Sequence, residues 1–211
     1  MEATVLFADI SGFTAISESL CATGRSGAEE LTGILNRYFG PMIELANRHG
    51  GIVAKFGGDS MTVLFPHQAA SPSVAAHRAI DCALEMQGQM ADYAAIQTST
   101  GTFGLAMRIG LAAGTLLWCV VGDPAVRLEA LVAGSTLDRS VQAELLAKVG
   151  EIVAHKSLMA LAAPGLLVRA ITAPQGDTRT LRDDYTCVVG LGLPAEQAPL
   201  AAGHPMVQSV A

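Results

Sequence analysis

Apolar positions fall into short unbroken runs and longer periodic stretches. Residues 4–10, TVLFADI, are short and β-branched, and they predict a buried strand that ends at Asp9. Across 27–49 the apolar residues Leu31, Ile34, Leu35, Tyr38, Phe39, Met42, Ile43 and Ala46 recur at spacings of three and four. That spacing predicts a long helix, which Gly50-Gly51 stops. The stretch 51–65, GIVAKFGGDSMTVLF, reads as two strands folded about Gly57-Gly58. Ser71-Pro72 opens a second helix with Ile80, Ala83, Leu84 and Met90 on its apolar face. Residues 98–104 read as a loop. LAMRIGLAAG and TLLWCVVG read as strands divided at Gly114, and 127–134 as another strand. A short helix is expected over 135–148, then a strand-like pattern in EIVAHKSLM. The order β-α-β-β-α-β-β with mixed elements after it implies an α+β domain, helices lying against a mostly antiparallel sheet. The boundaries expected are one domain over 1–190 and an Ala-, Gly- and Pro-rich tail or linker over 191–211.

Composition narrows the class. Of 211 residues, 51% are apolar and 15% charged, which excludes a disordered chain. No run approaches the roughly 18 apolar residues of a membrane span, and Asp9 and Gly12 interrupt the first run as no signal peptide would. A net charge of −6 disfavours a general nucleic-acid binder. Cys21, Cys82, Cys119 and Cys187 are widely spaced, as reduced thiols of a cytoplasmic protein would be. The five histidines show no ligand spacing. Trp118 and the methionines read as core or dimer interface.

Two carboxylates draw attention. Asp9 ends the first strand, and Asp59 sits in the bend of KFGGDSM. If the first strand lies beside the hairpin, both converge at one sheet edge, where a divalent cation would relieve their repulsion. The small residues of ISGFT would let a phosphate approach backbone amides. The same residues also suit plain turns, and spacing alone leaves both readings open.

The segments VLFADISGFTAISE (5–18), GAEELTGILNRYFGPMIELANRHGGIVAKFGGDSMTVLF (27–65) and MRIGLAAG (107–114) together resemble the class III adenylyl/guanylyl cyclase catalytic domain. The resemblance spans roughly residues 3–160. GLAAG and LVAGSTLD are most similar to the first catalytic domain of the bicarbonate-responsive soluble adenylyl cyclases. The resemblance implies a ferredoxin-like βαββαβ core with C-terminal extensions, active sites between two such domains, and conversion of ATP to cyclic AMP and pyrophosphate. It implies two ions, Mg²⁺ or Mn²⁺, held by Asp9, Asp59 and the Ile10 carbonyl. Ser11, Gly12, Phe13 and Thr14 would wrap the phosphates, and Arg108 would bind one, although a strand-end surface charge is its plain alternative.

Lys55 stands where the family reads the purine or, in two-domain members, faces a second pseudo-symmetric site. There it would hold an anion such as bicarbonate, with Val132 and Arg139 as companions; otherwise it is a solvated strand lysine. The later family segment, D-x-x-G-x-x-V-N-x-x-x-R, appears here as LVAGSTLDRSVQ. Leu131 replaces the base-selecting residue, Asp138 the ribose-orienting Asn and Gln142 the Arg that stabilises transferring charge. The resemblance therefore implies half a site. It would be completed by a complementary domain in a longer polypeptide, or left incomplete in a homodimer. The other reading is a catalytically incomplete regulatory domain that binds nucleotide or bicarbonate.

Overall fold

The computed structural model describes residues 1–162, 165–171 and 184–191. Strand β1 (Glu2–Ser11) leads into a short helix α1 (Phe13–Cys21) and a long helix α2 (Arg25–Arg48). Strands β2 (Ile52–Gly57) and β3 (Ser60–Pro66) form the central hairpin, and helix α3 (Pro72–Gln89) follows. A small hairpin, β4 (Ile96–Thr98) and β5 (Gly101–Phe103), precedes the long strand β6 (Ala106–Thr115). A second hairpin, β7 (Leu117–Asp123) and β8 (Arg127–Ala133), projects before helix α4 (Ser135–Leu146). Strand β9 (Ile152–His155), helix α5 (Lys156–Ala162) and strands β10 (Leu166–Arg169) and β11 (Tyr185–Leu191) complete the described chain.

The main sheet runs β10-β11-β9-β6-β1-β3-β2. Its four strands β6-β1-β3-β2 are antiparallel throughout, and with α2 and α3 they make the expected ferredoxin-like βαββαβ core. The extensions add β9, parallel to β6, and the strands beyond it.

The alternation of β1 divides its side chains between two cores. Leu6, Ala8 and Ile10 join the large core with Tyr38, Met42 and Ile80 of α2 and α3. Ala3 and Val5 face the other way, into a smaller cluster with Leu64 and Leu116, flanked by Val132 and Leu137. Asp9 shares this second face by parity. Helix α4 covers it, packing on β6, β1 and β9. Gly110 makes that approach close, because a Cβ there would lie 1.9 Å from the Ser140 carbonyl oxygen and 2.4 Å from the Glu144 nitrogen.

Two local devices secure the helices. The Ser71 hydroxyl accepts from the Val74 amide at 3.3 Å and caps α3. Pro41 lies inside α2 and cannot donate to the Arg37 carbonyl one turn back. The Tyr93 hydroxyl donates to that carbonyl instead, at 2.8 Å.

The structure corrects three expectations. Residues 98–104 are not all loop, since β4 and β5 pair there. EIVAHKSLM holds strand only to His155 and then turns helical. ISGFT is not a plain turn throughout, because α1 begins at Phe13. Leu191 still belongs to β11, and the remainder of the expected tail, 192–211, lies outside the described residues.

Candidate active site

The register of β1 builds the site. Asp9 pairs across to Ser60 on one side and to Arg108 on the other. Asp59 immediately precedes Ser60 in the turn between β2 and β3, so the two residues lie at the same end of the paired strands β1 and β3. Gly58 turns the chain there at φ +70°, and the Ser60 hydroxyl bonds back to the Gly57 carbonyl at 3.0 Å. Burial, Tyr93 and the charges of Asp9 and Asp59 together push the Tyr38 phenol above its ordinary range, so both carboxylates act on one buried hydroxyl.

Arg108 links the sheet to α4. Its Nη2 donates to Asp9 Oδ2 at 2.8 Å and lies 2.8 Å from Glu144 Oε1. Glu144 is 3% exposed. Burial pushes its carboxyl up to about 7 against the opposing pull of Arg108, with the Asp9 charge adding to the rise.

Past Ile10, which is buried, and Ser11, the chain turns at Gly12. Its φ of +96° is left-handed, and a Cβ there would meet the Gly104 carbonyl oxygen at 2.4 Å. Only glycine fits. Gly12 caps α1 without a side chain, so the first turn receives no side-chain cap from its N-cap residue.

The remaining sequence-derived residues divide into groups. Lys55 is exposed on β2, beside Ala54, which packs in the smaller cluster with Val132 and Leu137. The charge of Arg139 acts on His155, Asp184 and Tyr185, around β9 and β11. Leu131 is opposite Cys119 in the β7–β8 hairpin and 41% exposed. Asp138 is exposed in the first turn of α4, and Gln142 is half-buried one turn later.

All candidate ligands are hard oxygens. Among the described residues no three His, Cys, Asp or Glu side chains gather as a closed metal cage. Two carboxylates at one end of the β1–β3 pair, Asp9 and Asp59, would suit an ion such as Mg²⁺, which fills its other positions with phosphate oxygens and water.

The model of the adenylate and guanylate cyclase catalytic domain matches residues 1–164. The chain belongs to this family. Adenylate cyclase type 10 of Oryctolagus cuniculus is 32% identical to this cyclase domain over 154 residues, covering 72% of the chain and 9% of the relative. The chain thus corresponds to a small part of such relatives. The adenylyl cyclase CyaB of P. aeruginosa superposes with a TM-score of 0.72 at 25% identity, over 94% of this chain and 97% of that one. The guanylyl cyclase Cya2 superposes with a TM-score of 0.72 at 28% identity, over 93% and 95%.

Asp9, Asp59 and Arg108 are all residues singled out from the sequence, whereas Glu144, which contacts Arg108, is not. In QAELL it has the look of any solvated helix glutamate. Its only forewarning is Gly110, a glycine inside a strand, which hints at a close backbone approach.

Proposed function

We propose that this cyclase domain is the metal- and phosphate-binding half of an adenylyl cyclase, completed by a second cyclase domain. The observation that carries the reading is the β1 register, with Asp9 flanked by the Asp59 turn and by Arg108.

In this reading Asp9, Asp59 and the Ile10 carbonyl hold two Mg²⁺ or Mn²⁺ ions, which when bound activate the ribose 3′ hydroxyl and hold the triphosphate. Strand β1, hydrogen-bonded on both sides, fixes Asp9 rigidly. Backbone amides from Ser11 through Thr14 cradle phosphate oxygens at the open start of α1. The Arg108 guanidinium binds a further phosphate oxygen. The 3′ oxygen forms a bond to the α-phosphorus, the hydroxyl proton leaves, and the bond to pyrophosphate breaks.

Leu131, Asp138 and Gln142 are not suited to the rest of the chemistry. Asp138 would repel the phosphates, and the neutral Gln142 amide cannot stabilise charge as an arginine would. A complementary domain supplies those groups, whether from the same longer polypeptide or from another chain. The β7–β8 hairpin supports such pairing, since Leu117, Trp118, Val120, Val121 and Leu128 are exposed along it. ATP is favoured over GTP by the adenylate cyclase relatives. Cytoplasmic location fits the free cysteines among the described residues; no helix there is long and apolar enough to cross a membrane.

Titration calorimetry with ATP and Mn²⁺ tests the reading. Binding that Asp59→Asn weakens at least tenfold is expected, and a wild-type chain that binds neither would refute it. The regulatory reading, with bicarbonate at Lys55, Val132 and Arg139, is tested by titrating bicarbonate into the same chain.

A further inference from the structure

Two buried side-chain polar atoms lack a hydrogen-bond partner among the described residues, and they belong to one pair: Arg108 Nε and Glu144 Oε1. One is a donor and the other an acceptor. The two residues already approach to 2.8 Å through Nη2, yet the guanidinium is directed at Asp9 Oδ2. A guanidinium presents Nε and Nη2 as a planar fork that fits a carboxylate with two parallel bonds. Turning that fork from Asp9 onto Glu144 would satisfy both stranded atoms at once and release Asp9.

We propose that Glu144 is a positioning residue that takes over Arg108 when Asp9 engages a metal ion. The inference rests on the proposed role of Asp9 and extends it to a residue on α4. An Asp9 oxygen bonded to a cationic guanidinium is a poor ligand, because the metal must displace that bond and tolerate the nearby charge. Glu144 gives the cation somewhere to go. It is buried, fixed by the Gly110 contact, and on the same side of the sheet. Arg108 then stays within the site with its free N–H groups available to phosphate. Without the Glu144 carboxylate, Arg108 remains committed to Asp9.

Mn²⁺ alone, and Mn²⁺ with pyrophosphate, are titrated by calorimetry at pH 8 into wild type, Glu144→Gln, Arg108→Ala and the double variant. Glutamine keeps the shape and removes the charge, so the fold is retained. Glu144→Gln is expected to weaken Mn²⁺ binding by about tenfold, the scale of one charge-assisted hydrogen bond. In the Arg108→Ala background the same substitution should change Mn²⁺ affinity by less than about twofold, since Glu144 acts only through Arg108. Glu144→Asp should recover part of the loss. A tenfold loss that persists without Arg108 would mean that Glu144 merely supports the local packing, and would overturn the proposal. So would an unchanged affinity in Glu144→Gln. If wild type binds neither probe, the metal-site reading fails and this inference falls with it.

Discussion

The contact between α4 and β6 offers a sharp test through one glycine. Gly110→Ala adds a single methyl group at a place with no room. Its Cβ would lie 1.9 Å from the Ser140 carbonyl oxygen, 2.4 Å from the Glu144 nitrogen and 3.1 Å from the Ala143 carbonyl carbon. Comfortable contacts lie near 3.5 Å, so α4 would have to retreat by more than about 1 Å. All three atoms are backbone, and no flexible side chain can absorb the move. Overpacking of a tight interior costs about 1–3 kcal/mol, and a clash with helix backbone belongs at the top of that range. For a chain of this size, about 3 kcal/mol lowers Tm by about 6–12 °C. Gly33→Ala in α2 is the matched control, since a Cβ there meets nothing within 4 Å. It should stabilise the protein by up to about 1 kcal/mol, because a helix interior favours alanine over glycine. Thermal melts by circular dichroism read both variants. If Gly110→Ala melts within about 1 °C of wild type, α4 does not rest on Gly110 and the placement of Glu144 over Arg108 loses its support.

Other consequences are open to measurement. Glu144 binds a proton in the folded chain up to about pH 7, whereas its ordinary pKa is 4.5. Stability from this group is therefore greatest below that ordinary value and is lost as pH rises through about 7, at up to about 1.4 kcal/mol per pH unit. Urea titrations across this window should show that slope in wild type and a flatter one in Glu144→Gln. Tyr93→Phe strands the Arg37 carbonyl that Pro41 cannot serve and should cost about 1 kcal/mol. The cost should shrink in a Pro41→Ala background, where the restored amide takes over, and urea midpoints give both values. Ser71→Ala removes the α3 cap and should cost about 1 kcal/mol by the same assay.

The core was legible in the sequence because its signals are local and long. The periodicity of α2, the Gly-Gly hairpin and the unbroken run of β1 each identify one element without help from the others. Asp9 and Asp59 were legible as a pair only through that hairpin, since antiparallel pairing of β1 with β3 is what brings them together. Helix α1 was hidden because its nine residues start directly at a glycine turn that reads as loop. Helix α5 was hidden because seven residues are too few to separate a helical period from an alternating one. Glu144 was invisible for a different reason. Its burial depends on α4 docking across the sheet, which no pattern within α4 encodes.

The central claim is that this domain supplies the metal half of a cyclase site and needs a partner for the rest. The most direct test incubates the chain with ATP and Mn²⁺ over a range of protein concentrations, alone and with a cyclase domain that carries the base-selecting residue, asparagine and arginine replaced here by Leu131, Asp138 and Gln142. Cyclic AMP is quantified by mass spectrometry. The account predicts no product from the chain alone, product from the mixture, and loss of that product when this chain carries Asp59→Asn. Product from the chain alone that rises steeply with its concentration would contradict the account, because Leu131, Asp138 and Gln142 would then not disable the site.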